Sequence, residues 1–334
     1  MATIKEVAKR AGVSVGTVSN VIRNTNHVGS ELRQRVLTVV HDLEYQPSHV
    51  ARSLTLRRTN TLGLLVSDIT NPFFSQLVRG AEEAALEQGY LLLTFNTNDQ
   101  REREKQALEL LSARRVDGIL LVVAPSRESR TDIAETMARG TPIVCLDRIP
   151  PGISVDAVTV DNVRATRICV EHLLELGHRR IAMLTGSMLL STARERLQGY
   201  KRALRRGAVP VDPGLVREAD FRIDNSYELT SELLRRPDRP TALFVSNALM
   251  AMGALKAITA LGLRCPQEIA LATFDDPPLN EMLSPPLTSV AQPAYLIGYR
   301  GAGILLDRIR SKGPAQPCRI RLRTELKIRQ STTG

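Results

Sequence analysis

The 334-residue sequence predicts an all-α helix-turn-helix module followed by an α/β core of two doubly wound units. Three observations carry this reading. Helical apolar periodicity, broken by turn chemistry, fills the first two dozen residues; a basic surplus sits in the first sixth of the chain; and from Thr61 onward short apolar runs alternate with amphipathic segments.

Ile4, Val7, Ala8 and Ala11 fall at helical spacing, as do Val18, Val21 and Ile22. Between them stand Gly12, which supplies the positive φ of a tight turn, Val13, which plugs the angle between helices, and Ser14, a good N-cap. With Val18, Val21 and Ile22 inward, the second helix leaves Val15, Gly16, Ser19, Asn20 and Arg23 outside. A recognition helix enters the DNA major groove in this way, by its N-terminal turn. Asn20 suits an adenine edge and Val15 a thymine methyl, whereas Gly16 offers only backbone. Ser14, Thr17 and Ser19 suit phosphate oxygens, which fix register without reading sequence. The competing reading is a small amphipathic helical pair that binds protein. Charge weighs against it: residues 1–58 hold nine Lys or Arg and four acids, a balance of +5 out of the chain's +10.

A third helix is expected over 30–43, with Ser30 as cap and Val36, Leu37, Val40 and Leu43 on one apolar face. Pro47 ends it or starts the next element. The segment 48–55, SHVARSLT, is too short to hold a helix alone in water. It is either a helix that orders on binding or a plain linker.

In the core, 62–66, 91–95, 118–123 and 142–146 read as buried parallel strands, separated by helices near 72–89, 101–114 and 128–139. A second series has strands at 157–160, 181–184, 242–245 and 269–274, with helices near 163–176, 192–206, 225–235 and 247–261. Two such units in series imply a cleft, with ligand groups at the carboxyl ends of the strands.

Composition narrows the class. No apolar run of about 18 residues spans a membrane, and the N-terminus is a helix start rather than a secretory signal, so a cytoplasmic protein is expected. Cys145, Cys169, Cys265 and Cys318 are widely spaced, which fits small core residues rather than disulfides or zinc. No phosphate loop, GxSxG elbow or metal-ligand cluster is present, and no cofactor is expected; neither is an enzyme. A solute-binding protein explains the two-lobed core, but it needs an export signal and no helix-turn-helix.

Over essentially its full length the chain resembles the lactose/galactose repressor (LacI/GalR) family of bacterial transcription regulators. The residues that carry the resemblance are IKEVAKRAGVSVGTVSNVIRN from Ile4, Tyr45-Gln-Pro, VARSL from Val50, SDITNPFF from Ser67, Val160-Asp-Asn162, RLQGY from Arg196, FVSN from Phe244, FDD from Phe274 and LTSVAQP from Leu287. Their order and spacing make it specific. It implies a repressor that acts as a homodimer, or a dimer of dimers, on a palindromic DNA operator. The short polar tail after Arg323 favours the dimer. By position in the matched motifs, Val15, Gly16 and Asn20 read bases and Thr3 and His27 are DNA contacts. Val50, Ala51 and Leu54 belong to a hinge helix, whose leucine wedges into the minor groove and kinks the duplex.

The resemblance also implies a periplasmic-binding-protein-like core that a small molecule in the interlobe cleft switches allosterically. The expected division is a headpiece 1–46, a hinge 47–59 and a core 60–334. Within the core, the N-subdomain takes 60–160 and 292–320 and the C-subdomain 161–290 and 321–334, with crossings near 160–161, 289–292 and 318–322.

Position and chemistry together give the expected effector residues. Phe73, Phe74 and Asp147 come from the first lobe; Thr192, Arg196, Phe221, Asn247 and Asp275 face them from the second. Carboxylates, an Asn and an Arg around aromatic faces suit a sugar, whose hydroxyls donate and accept while its C–H face is apolar. Arg196 equally suits bidentate capture of a sugar acid's carboxylate. Each residue has a plainer reading: Phe73 and Phe74 as core, Asp147 and Asp275 as turn caps, Thr192 as a helix cap, Arg196 bound to a lobe carboxylate. His41, His49, His172 and His178 are expected on surfaces. Two departures weaken transfer of a particular sugar. Asn247-Ala248 stands where the family usually has Asn-Asp, losing a carboxylate, and the chain has no Trp. A nucleobase-type corepressor on the same fold is the alternative.

Overall fold

The computed structural model describes residues 2–22, 28–45 and 59–333. The chain divides into two compact units, Met1–Thr59 and Asn60–Gly334. Arg23, His27, His49, Val50, Ala51, Leu54 and the expected hinge helix lie outside the described residues.

In the first unit α1 (Ile4–Ala11) opens with a capping box: the Thr3 side chain accepts from the Glu6 N–H, and the Glu6 carboxylate accepts from the Thr3 N–H at 2.7 Å. Gly12 ends the helix at φ +64°, and a Cβ there meets nothing within 4 Å, so backbone conformation alone calls for glycine. Ser14 then caps α2 (Val15–Ile22), its Oγ accepting from the Thr17 N–H at 3.1 Å. Val7, Ala8, Ala11, Val18 and Val21 are buried together with Val36 and Val39 of α3 (Ser30–Asp42), and Val13 and Ile22 pack against them. Two expectations for α3 need correction. Gly29, not Ser30, occupies its N-cap, without a side-chain bond; and Leu37 is exposed while Val39 is buried, because the inward stripe runs through 36, 39, 40 and 43.

The second unit holds two six-stranded sheets. The first contains β1 (Thr61–Val66), β2 (Leu91–Asn96), β3 (Gly118–Leu121), β4 (Ile143–Leu146), β5 (Asp156–Val160) and β11 (Arg319–Leu322), all parallel, in the order β11-β5-β4-β3-β1-β2. The second contains β6 (Ile181–Thr185), β7 (Val216–Glu218), β8 (Ala242–Val245), β9 (Ala270–Phe274), β10 (Thr288–Ala291) and β12 (Glu325–Lys327), in the order β12-β10-β9-β8-β6-β7. Only the pairing of β12 with β10 is antiparallel among the described strands. Helices α4 (Pro72–Leu86), α5 (Arg101–Ala113), α6 (Ser129–Ala138) and α12 (Ala294–Ile309) belong to the first lobe. The second has α7 (Asn162–Glu175), α8 (Ser191–Arg206), α9 (Ile223–Arg235), α10 (Ala248–Ala260) and the short α11 (Leu279–Met282) and α13 (Gln330–Thr333).

The chain passes from one sheet to the other after β5, after β10 and after β11. The expected boundary at 320/321 cuts β11; the third passage lies between Leu322 and Glu325, and β10 carries the second lobe to Ala291. Strand β2 also departs from expectation. It is an edge strand with Leu91 64% exposed, not a buried one.

Close helix contacts set the geometry of the lobes. A Cβ on Gly298 of α12 meets the Leu77 carbonyl oxygen of α4 at 1.9 Å, and one on Gly80 meets the Tyr295 carbonyl oxygen at 2.0 Å. Only glycine lets these two backbones approach so closely.

His172 corrects a surface expectation: it is buried, with Nε2 3.0 Å from Thr332 Oγ1 of α13, which packs on β9 and β10. His178 is half-buried, its Nδ1 3.0 Å from Thr241 Oγ1, and His41 is exposed. Cys145 and Cys169 are core residues, the latter's thiol pushed up to about 12 by burial, while Cys265 and Cys318 are only half-buried.

Candidate functional site

In the first unit, Val15, Gly16 and Asn20 are exposed along the outer side of α2, and Ser19 is half-buried beside them. The hydroxyls assigned to phosphate already have internal work. Ser14 Oγ lies 2.9 Å from Thr17 Oγ1, and Thr3 is held in its capping box. Both remain at the helix starts, where unpaired backbone N–H groups and the helix dipole favour an anion. Lys9 and Arg10 add cationic charge in the last turn of α1.

The second unit has a cleft between its lobes, enclosing about 490 Å³ with the solvent at its mouth. Phe73, Phe74, Asp147, Thr192, Arg196, Phe221, Asn247 and Asp275 all line it. The strand exits explain the convergence, since β4 delivers Asp147, β8 Asn247 and β9 Asp275, while α4 begins with Pro72 and two phenylalanines. Asn71 starts that helix, its Oδ1 accepting from the Phe73 N–H at 3.0 Å. Asp147 (φ +62°), Phe221 (+58°) and Asp275 (+71°) occupy left-handed backbone, which costs about 1–3 kcal/mol each and gathers at ligand sites.

Phe73 and Phe74 meet edge to face, centroids 5.0 Å apart at 77°, and are both buried, so they serve as core and as cleft wall at once. The Arg148 guanidinium lies 5.8 Å from the Phe74 ring centroid of its own lobe and 5.7 Å from the Phe221 centroid of the other. The lobes also touch where the Ile149 N–H donates to Ser191 Oγ at 3.0 Å and where Arg222 Nη2 reaches the Asn98 carbonyl oxygen at 3.4 Å.

Arg196 is 3% exposed and committed to its own lobe. Its Nε donates to Asn162 Oδ1 at 2.9 Å, its Nη1 donates to the Ser246 carbonyl, and the guanidinium stacks 3.7 Å over Phe274. Its Nη2 has no protein acceptor among the described residues and remains open to the cleft. Arg148 is similarly engaged, donating to Asp99 Oδ1 at 2.6 Å and to the Val123 carbonyl at 3.1 Å.

The acids differ in what holds them. Burial pushes Asp147 up to about 6, although Arg148 and Arg196 pull the other way, and its Oδ1 is buried without a hydrogen bond. Asp275 is also raised by burial; Arg196, a bond from Gln292 Nε2 at 2.6 Å and the Ala248 N–H oppose the rise. Thr192 Oγ1 and Gln292 Oε1 are likewise buried and unbonded. Thr192 is not a cap: it lies inside α8, whose N-cap is Leu190. Asn247 does cap α10, accepting from the Met250 N–H at 2.8 Å, so the departure to Ala248 leaves the helix capped. Asp276 is structural, held by Arg329 through contacts of 2.8 and 3.0 Å and by Lys327 at 3.1 Å.

The cleft further holds Asp68, Asn98, Asp99, Arg148, Asp220, Arg222 and Gln292, which the sequence reading did not single out. Arg148 directly follows Asp147, Asp68 lies within SDITNPFF and Gln292 within LTSVAQP, so these three adjoin residues that the sequence marks. The others sit on loops with no periodicity to mark them.

Comparison with known proteins agrees with this division. Residues 3–48 match the model described as bacterial regulatory proteins, lacI family, and residues 170–332 match that of a periplasmic binding protein-like domain. The HTH-type transcriptional repressor PurR of Haemophilus influenzae (strain PittEE) is 36% identical over 333 residues, covering 99% of this chain and 98% of the relative. The ribose operon repressor of Escherichia coli (strain K12) is 36% identical over 309 residues, 92% of this chain and 93% of the relative. Among solved structures, the lac repressor dimer bound to operator and the anti-inducer ONPF superposes with a TM-score of 0.88 at 30% identity, covering 100% of this chain and 99% of that one. The transcriptional regulator CelR–cellobiose complex superposes with a TM-score of 0.75 at 33% identity, covering 99% and 100%. A helix-turn-helix unit, a two-lobed core and full-length relatives at this identity lead to one assignment: the chain belongs to the lacI family of bacterial transcriptional repressors.

Proposed function

We propose that the chain binds a palindromic operator as a homodimer and that a neutral monosaccharide in the interlobe cleft switches it. The observation that carries the effector class is the state of the cleft's charges. Five carboxylates (Asp68, Asp99, Asp147, Asp220 and Asp275) line it against three arginines, and Arg148 and Arg196 are already bound to protein acceptors. An acidic ligand would meet a surplus of like charge. A neutral polyol instead finds buried acceptors and donors without partners, on Asp147, Thr192 and Gln292, between phenylalanines from both lobes. Edge-to-face rings make a corner for a sugar's C–H faces rather than a slot for a planar base. The relative named for the ribose operon and the cellobiose complex favour a neutral sugar, the former a monosaccharide and the latter a disaccharide.

Base reading is assigned to Val15, Gly16 and Asn20, and phosphate contact to Thr3, Ser14, Thr17 and Ser19. His27, Val50, Ala51 and the Leu54 wedge complete the proposed DNA contacts. The chain works in the cytoplasm, where operators are; no described helix is long and apolar enough to cross a membrane.

A thermal-shift screen of the purified chain against neutral sugars, sugar acids and nucleobases tests the effector class. Stabilisation grows with ligand concentration over Kd, reaching about 2.7 kcal/mol at a hundredfold excess over Kd. A neutral monosaccharide should stand out. A response confined to sugar acids or nucleobases refutes the reading.

A further inference from the structure

Outside the cleft, a cluster of unpaired cations lies beside the crossings between lobes. A depression of about 830 Å³, solvent at its mouth included, is lined by Asp161, Arg164 and Arg167 near the start of α7, by Glu195 and Arg202 of α8, and by Arg321 of β11. Two further depressions adjoin it through shared residues: one brings Lys201 and Arg205, the other Arg323.

The two acids here are held by neutral donors of α7 and pair with none of these arginines. Asp161 caps α7 by accepting from the Arg164 N–H at 3.0 Å, and Glu195 accepts from Asn162 Nδ2 at 3.0 Å. Arg167 is paired with Glu171. Arg164, Arg202 and Arg321 are exposed, and among the described residues no carboxylate within 4 Å neutralises their guanidinium groups. On α8, Lys201 and Arg205 stand four residues apart, a like-charge pair that an anion relieves, whereas Arg206 is already paired with Glu171 at 3.1 Å. The wall carries four arginines against two carboxylates, a cationic excess that favours an anion, and guanidinium forks match phosphate oxygens in pairs.

We infer that this depression is a second ligand site, one for a compact phosphate-bearing small molecule bound between Arg164, Arg202 and Arg321. The concave shape favours a small anion over a macromolecular partner. Arg321 belongs to the first sheet and Arg164 and Arg202 to the second lobe, so the anion bridges the lobes and its affinity depends on their relative angle.

The test is isothermal titration of the full chain with inorganic pyrophosphate and, separately, glycerol 3-phosphate, at fixed ionic strength. One saturable site per chain is expected for at least one probe, and which probe binds tells an inorganic from an ester phosphate. The doubly substituted Arg202→Gln/Arg321→Gln chain should bind about tenfold more weakly or worse. These side chains are exposed, so the variant should keep its circular dichroism. Lys5→Gln/Lys9→Gln, in the helix-turn-helix unit, should bind as the parent does. Binding of neither probe, or loss in the Lys5/Lys9 variant with retention in the Arg202/Arg321 variant, overturns the site.

Discussion

Replacing Asp147 by Asn should make the protein more stable and the cleft less able to bind. The carboxyl is 5% exposed, one of its oxygens is buried without a hydrogen bond, and burial raises it from 3.8 to about 6. Below pH ~3 the group is neutral folded and unfolded, so it contributes nothing; as pH rises to about 6 the unfolded chain ionises first and stability falls. Above that the loss levels off at about 3 kcal/mol, the free energy equivalent of the two values. Asn removes the ionisation, tolerates the left-handed backbone at this position, and leaves Arg148 its partner Asp99. Urea denaturation of both proteins should therefore give a difference near zero at pH ~3, growing to about 3 kcal/mol in favour of Asp147→Asn at pH 7.5. Effector affinity should fall by about 1.5–3 kcal/mol, the scale of a lost charged hydrogen bond. A variant no more stable than the parent at pH 7.5 would refute the reasoning.

Phe221→Ala removes the second lobe's aromatic wall and should weaken sugar binding about 10–100-fold, by calorimetry, while operator affinity without sugar is unchanged. Asn20→Ala should cost about 1–3 kcal/mol at one base pair per half-site; in binding assays across operator variants, a uniform loss instead would remove its reading role. Gly12→Ala, with space for a methyl group but φ +64°, should destabilise the helix-turn-helix unit by about 1–2 kcal/mol in a denaturation experiment. Gly298→Ala should cost more, about 1–3 kcal/mol or above, because the Leu77 carbonyl must move; an unchanged melting temperature would contradict the α4–α12 contact.

Much of the site was legible because strand exits announce themselves. Asp147, Asn247 and Asp275 each follow an apolar run, and in a doubly wound sheet that is where ligand groups converge. Turn chemistry located Gly12 and Ser14 for the same reason, as both are demands of local backbone. What escaped was tertiary. Arg196 read equally as a ligand clamp or a structural cation, and only the positions of Asn162, Ser246 and Phe274, from three other segments, show that its Nε and Nη1 are held by its own lobe. Arg148 was passed over because its importance lies in standing between two rings from different lobes. Edge and centre are equally invisible in an apolar run, so β2 looked as buried as β1. The α12 helix went unremarked although its glycines pack the first lobe.

The central claim is that occupation of the cleft by a neutral sugar changes operator affinity. It is tested most directly by fluorescence anisotropy of the full chain on an operator selected from random duplexes, titrated with the sugar that scores in the thermal screen. The expected result is a shift in operator Kd of about fivefold or more, the usual range of allosteric coupling, abolished in Asp147→Asn. An operator Kd that stays constant while the sugar saturates the cleft would contradict the account.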